Sequence, residues 1–194
     1  MPENGTTNSN HERQTQRATI LAALGGALIG ALTGFAGSIL TYNSAEHTRQ
    51  DQVEARQAED AEHRADVRRE AYVGLSTSTH NYMQQATEML SACIDPKSSE
   101  EDRRRQWDSK YAAASKELNG AVAAAFLVTT EQGRHNLDKL GIQSTHLGRI
   151  IEDAYGKSPE NVDAEKAIRD FIEALKQHVE ALKTFMKRAA AESL

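Results

Sequence analysis

From Ala18 to Ala45 the chain carries no charged residue, and Arg17 and Glu46 bracket the run. No other part of the 194-residue sequence stays uncharged for so long. Its apolar centre, ILAALGGALIGALTGFAGSIL from Ile20 to Leu40, is long enough for a helix to cross a hydrocarbon layer of about 30 Å. A charge at the middle of such a helix costs a few kcal/mol, so its absence is a constraint on the fold. The run predicts one transmembrane helix over 18–42. A cleaved signal peptide fits less well, because its apolar core is typically only about 7–15 residues long.

Outside this block the composition favours helix. Three prolines and 5% aromatic residues argue against an all-β domain, which relies on aromatic and β-branched side chains. Alanine, glutamate, arginine, leucine and glutamine dominate, and all are good helix formers. The fold class expected is all-α: an N-terminal transmembrane helix, a charged helical stalk, and a C-terminal up-down four-helix bundle.

The segment 1–17 is polar and aperiodic, and it reads as a disordered tail. Next to the membrane, 43–70 reads as the stalk. Between Glu46 and Glu70 there is no Pro or Gly. Oppositely charged residues stand three or four apart there, as in Arg56/Asp60, Asp60/Arg64 and Asp66/Arg69. Its apolar positions are mostly alanines (55, 58, 61 and 65), too small for a strong coiled-coil seam.

The segment 71–194 reads as the bundle. Tyr72, Leu75, Thr79, Tyr82, Ala86, Met89 and Cys93 recur in steps of three and four until Asp95-Pro96 ends the helix. A second helix is expected to start near Ser99, with Trp107, Tyr111, Ala114, Leu118, Val122, Ala125 and Val128 inward. Thr129-Thr130 offers a cap for a third, with Leu137, Leu140, Ser144, Leu147, Ile151 and Ala154 inward. Gly156 is expected to close it in a left-handed conformation, and Ser158-Pro159-Glu160 to open the fourth. That last helix places Ile168, Phe171, Ile172, Leu175, Val179, Leu182, Phe185 and Met186 inward. Short connections between amphipathic helices favour up-down-up-down packing.

The membrane segment has its own pattern. Gly26, Gly30 and Gly34 recur every four residues, with Gly37 below them. Such a glycine zipper lets two helix backbones approach closely, so these four residues are the candidate helix-association face and a homo-oligomer the expected consequence. Gly25-Gly26 is no phosphate loop, since no strand precedes it and no Lys-Ser/Thr follows.

Other chemistry is sparse. The net charge of −5 is spread as −3 over 46–70 and −2 over 71–194, without the basic footprint of a nucleic-acid binder. Cys93 alone makes no intramolecular disulfide. The seven histidines form no HExxH, and Glu-x-x-His repeats of a di-iron bundle are missing. His80, His146 and His178 fall on different expected helices, where convergence with Glu88 or Glu152 is conceivable but surface or satisfied positions are the commoner outcome. Arg103-Arg104-Arg105 follows three acids and reads as exposed surface pairs. No catalytic, cofactor-binding or metal-binding residue is assigned, and no cofactor is expected.

The stalk opens into the bundle through Arg68-Arg69-Glu70-Ala71-Tyr72. With the anchor and stalk, this stretch resembles uncharacterised single-pass membrane proteins of high-GC Gram-positive bacteria that carry a small helical domain. The resemblance implies no enzymatic activity and no catalytic residue.

These observations point to a single-pass protein of the cell membrane, in contact with the lipid bilayer and with an unknown protein partner. Its expected role is structural or protein-interaction; the alternative is a membrane signal sensor or transducer that relays bundle changes through the stalk. A glycine-lined pore is a third possibility, and an enzyme is disfavoured. Arg13 and Arg17 nearly balance Arg49 and Arg56 across the membrane, and Arg64, Arg68 and Arg69 tip the count toward a cytoplasmic C-terminal domain.

Overall fold

A computed structural model describes residues 52–191, with side chains from 59 to 191. The expected transmembrane helix, the tail and the Gly26, Gly30, Gly34 and Gly37 stripe lie outside the described residues. Every regular element in the described part is helical. Helix α1 (Gln52–Ile94) is followed by α2 (Glu100–Gln106), a π-helical turn (Trp107–Tyr111) and α3 (Ala112–Val128), the last three running on without a break. Then come α4 (Glu131–Tyr155), a 3-10 turn (Pro159–Asn161) and α5 (Ala164–Ala191). The described residues thus make four helical rods.

Helix α1 joins the charged segment to the bundle without interruption. Residues 59–64 are exposed, the Asp66–Arg69 ion pair forms, and full burial starts at Tyr72. The expected boundary at 70/71 is therefore a change in what the helix touches. The helix itself does not stop there. It ends at Asp95, whose carboxylate accepts from the Lys97 amide at 2.9 Å.

Local caps set most other starts. Ser99 Oγ accepts from the Asp102 amide at 3.1 Å, ahead of the acidic turn Glu100-Glu101-Asp102. Thr130 Oγ1 accepts from the Gly133 amide at 3.2 Å and opens α4. Two local readings need correction. Ser158-Pro159-Glu160 opens only the 3-10 turn, because Val162 turns extended and packs on the core. Asp163 caps α5 instead, accepting from the Lys166 amide at 3.0 Å. Gly156 is right-handed (φ −68°, ψ −2°), so the freedom peculiar to glycine is not used there.

Contacts between rods fix their directions. Ser78 and Asn81 of α1 bond Glu117, whereas Gln85 and Glu88 bond Gln106, so the first two rods are antiparallel. Tyr72 meets Phe185 and Tyr82 meets His178, which makes α1 and α5 antiparallel too. The seam of α1 anticipated from spacing (Tyr72, Leu75, Thr79, Tyr82, Ala86, Met89, Cys93) is buried throughout. It packs with Leu118, Leu140, Leu147, Ile151, Phe171 and Leu182 into one core.

Gly133 is where a missing side chain matters most for packing. A Cβ there would stand 2.0 Å from Thr129 Oγ1 and 3.1–3.2 Å from Thr129 Cβ and Cγ2, so Thr129 must leave its rotamer and its Cβ still stays in tight contact. Gly133→Ala is therefore expected to destabilise the fold by about 1–3 kcal/mol, as overpacking does, despite alanine's better helix propensity. Gly120→Ala, with open space around it, is expected to be neutral or stabilising. Urea midpoints of the two variants test this, and an unchanged midpoint for Gly133→Ala would show that the cap turn yields freely.

Candidate functional site

The apolar core is interrupted by a chain of contacts among Tyr82 of α1, Tyr111 of the π turn, Ser144 of α4 and His178 of α5. Tyr82 Oη lies 3.1 Å from the Ser144 carbonyl and 3.3 Å from Tyr111 Oη. A carbonyl only accepts, so the Tyr82 proton goes to Ser144 and the Tyr82 oxygen accepts from Tyr111. Ser144 Oγ donates to the Leu140 carbonyl at 2.9 Å and sits 3.4 Å from His178 Nδ1. With its own proton committed, Ser144 can receive one from Nδ1–H, in a long and weak bond. His178 Nε2 is then a buried lone pair with no hydrogen-bond partner among the described residues.

Burial governs the ionisation of this layer. It pushes the His178 imidazole down to about 4, so the ring is neutral at pH 7. Burial first, then Tyr111 and Glu152, raises the Tyr82 phenol above its ordinary value. Tyr111 is also raised, by burial and by Glu152, against the opposing hydrogen bond with Tyr82. Both phenols remain protonated.

The π turn explains how one rod brings so many large groups inward. Arg103, Trp107 and Tyr111 are spaced by four, and two such steps on an α-helix would rotate the face by about 80°. A wider turn absorbs that drift, and π turns recur at functional sites. Trp107 stacks on Tyr155 at 4.6 Å with ring planes 14° apart and meets Tyr111 at 5.0 Å. Arg103 corrects the expectation of an exposed triplet: it is buried, and its Nη1 donates to the Lys157 carbonyl at 2.8 Å. Its neighbours do form surface pairs, Arg104 with Asp108 and Arg105 with Glu101.

Above the two phenols a groove of about 530 Å³ opens between α3 and α4. Tyr82, Tyr111, Ser144 and Gly148 are in its lining, as are Lys116 and Glu152. Gly148 keeps it open: a Cβ there would lie 3.5 Å from Tyr111 Oη and 3.8 Å from Tyr82 Oη.

The histidines do not converge. His146 is exposed, His178 is buried against Ser144, and Glu88 is engaged by Gln84, Gln106 and Lys110. Among the described residues no three His, Cys, Asp or Glu side chains gather as a metal site. Nor is any described helix long and apolar enough to cross a membrane. Spacing did carry a signal for His178, since Leu175, His178 and Leu182 share one face. The groove had none, because its lining comes from helices distant in sequence. No protein-family model, curated protein or solved structure matches the chain.

Proposed function

We propose that this chain is a membrane-tethered helical bundle with a structural or protein-interaction role. The observation that carries the reading is the unbroken 43-residue α1, which at about 1.5 Å per residue spans roughly 60 Å and is shared by stalk and bundle. A bundle fixed to such a rod is held at a set distance from whatever its N-terminal end is attached to. The uncharged run over 18–42 supplies the attachment to the cell membrane, and the lysine and arginine count favours a cytoplasmic C-terminal domain. The glycine stripe makes the anchor self-associating. No catalytic role belongs to this reading.

The anchor is tested by association of the 18–45 segment in a membrane two-hybrid assay. Gly30→Ile is expected to abolish most of the association by forcing a branched side chain into the closest approach, whereas Gly25→Ile, off the stripe, is expected to do much less. Equal loss from both, or none from either, would mean that the helix anchors a monomer.

A second reading, a sensor that relays bundle changes through the stalk, is favoured by one specific feature. Tyr82 lines the α3–α4 groove and belongs to α1, so an occupant of the groove would touch the helix that leads out of the bundle.

A further inference from the structure

The lining of the α3–α4 groove is unbalanced in charge. It holds two cations, Lys116 on α3 and Arg149 on α4, against one carboxylate, Glu152. Neither cation has an ion-pair partner among the described residues. Other acids nearby are engaged elsewhere. Glu117, next to Lys116, accepts from Ser78 and Asn81 of α1 on the far side of α3, and Asp108 pairs with Arg104. Glu152 stands at the Trp107 end of the groove. Along α4 it follows Thr145 by seven residues, about 10 Å at 1.5 Å per residue.

On the α3 wall Ser115 and Asn119 add a hydroxyl and an amide whose protons no described residue takes up. The Tyr82 and Tyr111 phenols beneath stay protonated, so the floor carries no charge that would repel an anion. The aromatic faces are already taken, since Trp107 lies against Tyr155 and Tyr111; charge and hydrogen bonding are left to select a guest. The volume of about 530 Å³ falls within the range of about 300–1,000 Å³ usual for small-molecule sites. Two long cationic arms rooted on opposite walls, with free donors beside them, match the several acceptor oxygens of an oxyanion.

We propose that the Lys116 end of this groove binds a small organic oxyanion, a carboxylate or a phosphomonoester, held by Lys116 and Arg149 from the two walls with Ser115 and Asn119 donating. The site goes beyond the tethering reading and does not rest on the anchor. It supplies the ligand that the sensor alternative needs.

The full chain in detergent is titrated calorimetrically with phenyl phosphate, phenylacetate and benzylammonium, which share an apolar ring and differ in charge. Saturable binding of at least one anion, and none of benzylammonium, is expected; the tighter anion identifies the headgroup. The double variant Lys116→Gln/Arg149→Gln should weaken binding by about ten-fold or more. Asn119→Asp should do the same by setting a carboxylate where a donor stood. Glu152→Gln should leave the affinity unchanged or raise it, because that carboxylate repels the guest. All four positions are exposed, and melting curves matching the parent chain show that lost binding is not lost structure. Saturation by neither anion, equal binding of benzylammonium, indifference to the double variant, or weaker binding in Glu152→Gln would overturn the proposal. None of these outcomes bears on the Gly30 association assay, so the two readings fail separately.

Discussion

Phe185→Ala is expected to destabilise the bundle by about 3–5 kcal/mol, the usual loss when a fully buried phenylalanine is truncated and the cavity relaxes only in part. The Phe185 ring is completely buried and meets Tyr72 edge-on, with centroids 5.2 Å apart and planes at 89°. This pair joins α5 to α1 where α1 first becomes buried, so the truncation removes a contact that holds the two rods together there. Domains of this size have a total stability of about 5–15 kcal/mol, which makes the loss a large share. Urea unfolding followed by circular dichroism measures it. Phe126→Ala is the comparison: that ring is 38% exposed, at the end of α3 under the Arg134 guanidinium, and its loss should stay within about 1 kcal/mol. A Phe185→Ala midpoint no lower than that of Phe126→Ala would mean that the α1–α5 contact does not hold the bundle together.

The seams were readable because burial leaves a local trace. Each helix must place an apolar group every three or four residues on one side, and Tyr72 to Cys93 does so at every step but Thr79, which is buried all the same. Caps are equally local, which is why Ser99 and Thr130 open helices as their side-chain chemistry requires. The readings that needed correction are those decided by distant partners. Pro159 sits in a sound start signal, but Val162 is drawn into the core and the helix begins after it. Arg103 belongs to a charged triplet that reads as solvated. Its guanidinium nevertheless reaches a carbonyl 54 positions away, while the arginine stem is buried along the bundle. The groove follows the same rule. Gly148 looks unremarkable within α4, and only the approach of Tyr82 and Tyr111 from two other helices gives its missing side chain a meaning.

His178 makes the second large effect one of pH. Its folded-state value is lowered to about 4 by burial, while in the unfolded chain it titrates near its ordinary value of 6.5. Above 6.5 both states hold a neutral ring, and His178 gives no pH dependence. As the pH falls from 6.5 toward 4, the unfolded chain takes up a proton that the folded chain refuses, so stability drops with acid. The lowered value corresponds to about 3 kcal/mol by pH 4. The groups facing the ring offer the imidazolium no counter-charge: Tyr82 of α1 approaches at 6.0 Å between centroids, and Ser144 of α4 at 3.4 Å. Carboxylates also titrate on this limb, so the comparison must be between the parent chain and His178→Leu. Leucine is similar in volume and removes the unpartnered Nε2 along with the weak bond to Ser144, so stability at pH 7.5 should change little or rise. Between pH 7 and 4.5 the parent chain should lose about 2–3 kcal/mol more than the variant in urea titrations. Parallel acid limbs for the two proteins would show that the histidine is protonated within the fold, and that the layer around Tyr82 and Ser144 opens to water before the bundle unfolds.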